Sequence, residues 1–409
     1  MKILMLGWEF PPVSHGGLGR ACHGLVTSLV KEGTEITFVV PVFPEGQKDE
    51  KMLKIISAAG AEKIKIRKVI SALVPYSTTS YQGATENEKL RYKNTNTKSL
   101  YGRNLFEEVN KFTDKVGLIA QEEEFDIIHA HDWMTFIAGV NAKNLTGKPL
   151  VVHVHSTEFD RTGGNSVNQY VYDIEKHGMH MADRVITVSN MEKKKIMKHY
   201  GVSAEKIHVV HNAINAFEYN NANTIINMNK HHKIILFLGR VTLQKGPDYF
   251  LRAAKKVAEK DRDVVFVVAG SGDMTTRMIE EAAWLGISDR IFFTGYISDK
   301  EIEKLMKSAS VLVMPSVSEP FGIVALEAMI NKVPLIVSKQ SGVIETVNHC
   351  MKVDFWDVDE MANKMLALLE YEPLSSIISE NGYMDVQDMS WDKPAKLCMG
   401  IYQSMVGSV

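Results

Sequence analysis

The sequence predicts an α/β protein of two domains, each built on a parallel sheet, and three observations carry that prediction. The chain opens with a strand-like run, Ile3–Leu4–Met5–Leu6, then a glycine-rich loop from Gly7 to Gly19 (GWEFPPVSHGGLG), a helical segment from about Arg20 to Lys31, and a second strand-like run at Glu35 to Val40. Strand, glycine loop, helix and strand in that order make the βαβ unit that begins a doubly wound sheet. The same rhythm restarts at Ile234–Leu238 (IILFL), after an asparagine-rich stretch from Ile214 to Lys233 that lacks a strong period and reads as a linker. Finally, 409 residues exceed one ordinary domain and fit two of about 200 residues each.

Composition narrows the class. Hydrophobic residues make up 45% of the chain and charged residues 23%, the proportions of a soluble globular protein. A formal net charge of −2 gives no general electrostatic reason to bind nucleic acid or an anionic membrane. Cys22, Cys350 and Cys398 are far apart and form no CxxC pair, which argues against a disulfide framework and a cysteine zinc site and fits a reducing, cytoplasmic setting. The apolar run in MKILMLGWEF is too short for a signal peptide, and no uninterrupted apolar run approaches the ~18 residues of a membrane span.

Along the first domain, Gly16–Gly17 places backbone N–H groups just ahead of a helix, where a phosphate or sugar oxygen is welcome; the plain alternative is that they only permit a turn. The polar stretch from Pro75 to Ser99 reads as an inserted surface loop. Its Tyr76, Tyr81 and Tyr92, with nearby Tyr101, are either sugar-stacking rings or solvent-facing tyrosines. In DIIHAHDWMTFIAG (Asp126–Gly139), Ile127–Ile128 ends a strand that carries His129 and His131 on one face, and Asp132 is placed as the N-cap of the next helix. Leu150–His155 is a further strand with a second HxH pair, His153 and His155. No HExxH-type helix or cysteine ligands accompany these pairs in sequence, so the expectation is no metal and neutral imidazoles that bond a polar ligand, with His129 and His153 as core residues. Arg184–Ser189 and Lys206–Asn212 are further strands, and Lys193–Lys195 reads as a solvated helix face.

In the second domain, Gly239–Gly246 (GRVTLQKG) puts Arg240 and Lys245 on the loop after the first strand. Both are ordinary surface charges or, at a site where a diphosphate leaves, the donors such chemistry needs. Val264–Ala269 ends in Gly270–Ser271–Gly272, Ile291–Thr294 leads into Gly295–Tyr296–Ile297, and Val333–Val337 with Ser341–Gly342 closes the sheet; Ser390–Trp391 to Met405 reads as a closing helix. Met314–Ile330 (MPSVSEPFGIVALEAMI) stands out most. A short buried strand ends at Pro315, a tight loop runs to Gly322, and an apolar helix follows whose one charged residue is Glu327. A buried carboxylate needs donors or a ligand, so Glu327 bonds nearby backbone or meets a ligand, and Glu319 either caps the helix or faces a ligand at the strand's carboxyl end.

These motifs together resemble the GT-B glycosyltransferases, specifically the retaining families 4 and 5 that include glycogen and sucrose-phosphate synthases. The most specific element is EPFGIVALEAM, Glu319 to Met329, which resembles the E-x7-E signature. Gly16–Gly17–Leu18–Gly19, His131–Asp132–Trp133, His155–Ser156–Thr157–Glu158 and Gly239–Arg240 with Lys245–Gly246 follow the family in the same order. Two features depart from it: Ser14 stands where larger bacterial starch and glycogen synthases carry Lys, and His211–Asn212–Ala213–Ile214–Asn215 replaces a P-N-G-I-D turn.

The resemblance implies two Rossmann-like domains facing a central cleft: an acceptor-binding domain over 1–215, a linker over 216–233 and a nucleotide-sugar domain over 234–390, with the helix at about 391–409 packing back on the first. It implies that Arg240 and Lys245 hold and stabilise the leaving diphosphate, and that the Gly16–Gly17 amides approach phosphate or sugar. Glu319 would contact the transferred sugar, with the backbone of Phe321–Gly322 and the helix start at Ile323 beneath the distal phosphate. Glu327 would bind the ribose, Gly270, Gly272, Tyr296 and Ile297 would line the base pocket, His155 would bond the sugar near its 6-hydroxyl, and His131, Asp132 and Glu158 would meet the acceptor.

The implied activity is transfer of a hexose, glucose first, from UDP or ADP to an α-glucan hydroxyl, with no cofactor and no metal. A small sugar, a sugar phosphate or a lipid-linked glycan is the alternative acceptor; the last would call on the basic run Lys63–Lys68 (KIKIRK). A sugar-nucleotide epimerase and an inactive glycan-binding protein are the rivals from other classes.

Overall fold

The computed structural model describes residues 1–11, 16–41, 64–68 (backbone only), 105–164, 166–216 and 233–406. The expectations for Ser14, for the 75–99 loop with its tyrosines and Tyr101, and for most of the linker lie outside these residues.

The chain divides into two compact units. The first comprises Met1–Glu158, Val167–Asn212 and Trp391–Val409, and the second Phe159–Ser166 and Ala213–Ser390. Phe159–Ser166 falls inside the 1–215 span of the sequence reading but groups with the second unit, where Ser318 Oγ donates to Asp160 Oδ1 at 2.6 Å.

In the first unit, seven parallel strands are ordered β3-β2-β1-β4-β5-β6-β7. They are β1 (Lys2–Leu6), β2 (Glu35–Val40), β3 (Ile64–Lys68), β4 (Ile127–His131), β5 (Leu150–Val154), β6 (Arg184–Thr187) and β7 (Ile207–Val209). The central strands are buried at every position (Ile127–His131, Leu150–Val154), their histidines included, as expected of a parallel sheet covered on both faces. The first helix runs Gly17–Lys31, starting three residues before the sequence placed it. The closing helix Asp392–Val406 follows Trp391, whose indole lies against Gly24 of the first helix so closely that a Cβ there would come within 2.2 Å of Nε1. The helix Asn190–Tyr200 is capped by Ser189, whose Oγ accepts from the Glu192 amide at 3.1 Å, and it ends at left-handed Gly201. Its lysines are not simply a solvated face. Lys195 pairs with buried Glu192 at 2.9 Å, and Lys193 Nζ donates to the Ala204 and Ile207 carbonyls.

The second unit carries six parallel strands ordered β10-β9-β8-β11-β12-β13. They are β8 (Lys233–Leu238), β9 (Val264–Ala269), β10 (Ile291–Gly295), β11 (Val311–Met314), β12 (Leu335–Ser338) and β13 (Met351–Val353). The sequence reading closed this sheet one strand early, because MKV is too short and too polar to announce itself. Val, Ile and Phe of β8, β9 and β11 pack on Phe250, Leu251, Ala254 and Val257 of the helix Pro247–Lys260 to form the core. Among the described residues no helix is long and apolar enough to cross a membrane.

Both sheets reverse direction at one place. In the first, β2 lies on one side of β1 and β4 on the other; in the second, β9 and β11 flank β8 in the same way. Loops leaving the carboxyl ends of such strand pairs diverge to opposite faces and leave a crevice, the usual ligand position of open α/β sheets. The described segments at these switch points are ones the motifs occupy: the chain after Gly7, the helix start at Gly16–Gly17 and His131–Asp132 in the first unit, Gly239–Gly246 and Pro315–Gly322 in the second.

Candidate active site

In the second unit the loop after β8 is pinned by backbone contacts. The Gly239 amide donates to the Ala269 carbonyl at 3.0 Å and the Val241 amide to the Ser271 carbonyl at 3.0 Å. This close crossing explains two glycines: a Cβ on Gly270 would fall 1.9 Å from the Gly239 carbonyl oxygen, and one on Gly272 would fall 2.2 Å from that of Val241. Gly246, left-handed at φ 65°, turns the chain into the helix Pro247–Lys260 and brings Lys245 inward.

Lys245 Nζ meets Glu319 Oε2 at 2.5 Å, and Ser316 Oγ donates to the same oxygen at 3.2 Å. Arg240 lies on the same loop, its guanidinium 3.4 Å from Gln244 Oε1. The loop holding Glu319 is itself fixed on two sides. Val317 N donates to the Gln244 carbonyl, Glu319 N to the Gln340 carbonyl and Gly342 N to the Glu319 carbonyl, each at 2.9 Å. Phe321 is tied by the Val343 amide at 2.8 Å, and Gly322, at φ 105°, opens the eight-residue helix Ile323–Ile330. The first N–H groups of that helix have no intrahelical carbonyl and point back toward the loop. Glu327 is 3% exposed on this otherwise apolar helix. The structure therefore brings Arg240, Lys245, Glu319, Phe321, Gly322 and Ile323 to one corner. Gly270 joins Gly295 through a 3.0 Å amide bond, which sets Tyr296 and Ile297 just beyond the carboxyl ends of β9 and β10.

In the first unit, β4 and β5 run in register with His131 opposite His153, and His155 follows β5. His131 Nδ1 and His155 Nε2 share a hydrogen bond of 2.9 Å. Burial holds the His129 imidazole down to about 3 and pushes those of His131 and His153 well below the usual range; burial also lowers His155, against the opposing pull of Asp132. These rings are neutral near neutral pH, and neutral rings suit hydrogen bonding to hydroxyls. His129 and His153 are buried, and His129 Nδ1 bonds Tyr402 Oη at 2.6 Å. Tyr402 arrives on the closing helix from the far end of the chain, and nothing local in the sequence pairs it with His129.

Asp132 corrects the sequence reading. It occupies the N-cap position of the helix Trp133–Thr146, but its side chain makes no cap bond and its φ is 59°. Its Oδ1 instead accepts from the His155 amide at 2.7 Å and the Ser156 amide at 3.3 Å, so its work is to fix the β5 exit. Asp132→Asn keeps an acceptor oxygen and tolerates the left-handed backbone. It is expected to retain most stability, whereas Asp132→Ala loses the bonds to two partly buried amides and about 1 kcal/mol or more. Thermal unfolding of the two variants side by side checks this. Glu158 is also committed to backbone: its Oε1 accepts from Asn168 N at 3.2 Å. Gly16 and Gly17 are exposed at the start of the first helix, and a Cβ on Gly17 would meet nothing within 4 Å.

The class of protein is defined by this plan: two doubly wound α/β units, each with glycine-bearing loops at its switch point. Comparison with known proteins places it further. The family model for Glycosyltransferase Family 4 matches residues 15–216, and that for Glycosyl transferases group 1 matches residues 219–385. An uncharacterised glycosyltransferase of Methanocaldococcus jannaschii is 31% identical, the match covering 98% of each chain. The glycogen synthase of Mycobacterium tuberculosis is 25% identical over 85% of this chain and 80% of its own. Among solved structures, the sucrose-phosphate synthase of Thermosynechococcus elongatus superposes with a TM-score of 0.77 at 18% identity, covering 100% of both chains. The chain belongs to the GT-B glycosyltransferases of the family 4/5 type, enzymes that transfer sugars.

Proposed function

We propose that the protein is a retaining hexosyltransferase that moves a hexose, glucose first, from a UDP- or ADP-linked donor to a hydroxyl of an α-glucan. The contact between Lys245 and Glu319, 2.5 Å apart at the switch point of the second unit, is the observation that carries this reading. An ammonium held there faces the place where a diphosphate develops charge, and a carboxylate beside it suits the hydroxyls of the transferred sugar. Arg240 adds a second cation, the first turn at Ile323 receives the distal phosphate, Glu327 takes the ribose hydroxyls, and Gly270, Gly272, Tyr296 and Ile297 bound the base.

On this reading the anomeric C–O bond to the diphosphate breaks with its electron pair leaving on phosphate, and Lys245 and Arg240 stabilise that charge. The acceptor oxygen forms its bond to the same face of the anomeric carbon, and its proton passes to the departing phosphate oxygen. No protein base, cofactor or metal is required by this scheme. His155 bonds the sugar near its 6-hydroxyl, and His131 and Asp132, with Glu158, order the acceptor side. The neutrality of the histidine array favours an uncharged acceptor over a sugar phosphate, and the glycogen synthase relative supports a glucan. The setting is taken to be cytoplasmic, where nucleotide sugars are found.

The test is release of nucleoside diphosphate from UDP-glucose and ADP-glucose, each with and without glycogen. Release stimulated by glycogen supports the reading and selects the donor; release from neither donor, with or without acceptor, removes the glucosyl reading. The Gly16–Gly17 role has its own test. An alanine Cβ at position 17 meets no atom of the described residues within 4 Å and replaces a helical glycine, so stability of Gly17→Ala should hold or rise by about 0.5–1 kcal/mol. If donor or acceptor oxygens approach that amide, turnover falls at least tenfold in the same variant; unchanged turnover would reduce Gly17 to a helix start.

A further inference from the structure

The sequence separates its cysteines from its histidine pairs, but the fold brings one of each kind together. Cys22, on the first helix, His131, ending β4, and His155, following β5, present a sulfur and two ring nitrogens that all lie within 4.8 Å of one another. A second group, His129, His131 and His153, satisfies the same distance and shares His131.

The two groups differ in what they can hold. In the second, His129 stacks on His131 with centroids 4.3 Å apart and planes 24° apart, and all three rings are buried. Imidazole lone pairs lie in the ring plane, so stacked rings send them side by side rather than to one point, and complete burial leaves an ion no way in. In the first group the 2.9 Å contact between His131 Nδ1 and His155 Nε2 accounts for the 5.2 Å centroid separation once one ring radius is added at each end. Those rings therefore meet edge to edge, the N–H of one nitrogen directed at the lone pair of the other. His155 is half-buried, which gives a path of entry.

We propose that Cys22, His131 and His155 form a binding site for one thiophilic divalent cation of the Zn2+ type. One sulfur and two imidazole nitrogens are a common zinc donor set, leaving a fourth position for water or a ligand oxygen. With Zn–N bonds of ~2.0–2.1 Å in tetrahedral geometry the two nitrogens would stand roughly 3.4 Å apart, so the existing pair needs to open by only a few tenths of an ångström. Two further observations point the same way. His131 Nε2 is buried and has no hydrogen-bond partner among the described residues, so no second bond of this ring resists the small turn that aims Nδ1 at an ion. The Asp132 carboxylate, whose Oδ1 accepts from the His155 amide at 2.7 Å, stands beside the cluster and adds a negative charge that favours a cation.

The proton balance is simple. Cys22 releases one proton as its thiol becomes the metal-bound thiolate. The hydrogen shared between the imidazoles moves to the other nitrogen of the ring that donated it, so both rings stay neutral.

Titration of the full-length chain with Co2+ as a spectroscopic substitute tests the site. The expected result is one equivalent bound, with a near-ultraviolet thiolate-to-cobalt band and intense visible bands of four-coordinate Co2+, displaced by Zn2+. Cys22→Ser should lose the near-ultraviolet band and at least tenfold in affinity. Because Cys22 is buried, His155→Ala, checked for folding by circular dichroism, serves as the second variant and should lose the four-coordinate visible bands. Absence of both bands in the wild type, or a thiolate band that persists in Cys22→Ser, overturns the proposal.

One consequence rests on the reading of His131 and His155 as acceptor and sugar contacts: Zn2+ should inhibit transfer reversibly, with chelator restoring it. Cobalt bound through Cys22 without any inhibition by Zn2+ would uphold the metal site and count against those contact roles.

Discussion

Lys245→Ala is expected to lower the turnover of hexosyl transfer by roughly 10²–10³, the cost of removing one donor to a developing oxyanion, about 3–4 kcal/mol. Two effects act together in this variant. On the proposed reading the cation facing the leaving diphosphate is lost, and Glu319, whose side chain is 7% exposed, loses its ion-pair partner and retains the Ser316 hydroxyl as a donor to its Oε2. The double variant Lys245→Ala with Glu319→Ala separates them. Removing the stranded carboxylate should restore part of the lost thermal stability, because one charge of a buried pair is costly alone. It should restore none of the turnover. Recovery of turnover in the double variant would mean that Lys245 serves only to neutralise Glu319.

Gly270→Ala should produce the largest structural effect. The added Cβ would sit 1.9 Å from the Gly239 carbonyl oxygen, a backbone atom that cannot swing away, and Gly270 has φ 133°, a region that side-chain-bearing residues rarely adopt. Backbone strain of ~1–3 kcal/mol adds to overpacking of similar size, so a loss of roughly 2–5 kcal/mol is expected. For a unit of this size that corresponds to a fall of about 5–15 °C in the unfolding temperature. The crossing of Gly239–Val241 over Gly270–Gly272 also positions Arg240, so donor binding should weaken in whatever fraction remains folded. Circular dichroism melts and donor titration of Gly270→Ala measure both, and an unfolding temperature within a degree or two of wild type would contradict the account.

The fold was legible because parallel strands buried on both faces leave apolar runs, several of them closed by glycine or proline: Leu6 before Gly7, Leu238 before Gly239, Met314 before Pro315. Glu327 stood out for the same physical reason, as a charge where everything around it is apolar. Of the edge strands, β7 and β10 were legible and two others were not. The three residues of β13 and the backbone-defined β3 owe their place to neighbours already in the sheet rather than to their own pattern. Asp132 takes the N-cap position that its type suits, but at φ 59° its carboxylate turns to the His155 and Ser156 amides instead of capping the helix. The partnerships of Cys22 with His131 and His155, of Tyr402 with His129, and of Asp160 with Ser318 join residues far apart in sequence, and no local period encodes them.

The central claim is that the hexose leaves its nucleotide and joins an acceptor with its anomeric configuration kept. The measurement that tests it most directly is proton NMR of the product formed from α-linked UDP-glucose or ADP-glucose and a short α-glucan, followed from the first turnovers. The account predicts a new anomeric resonance with the small coupling constant of an α-linkage, growing in step with nucleoside diphosphate and absent in Lys245→Ala. A β-linked product, or free glucose accumulating with no new linkage, would contradict it.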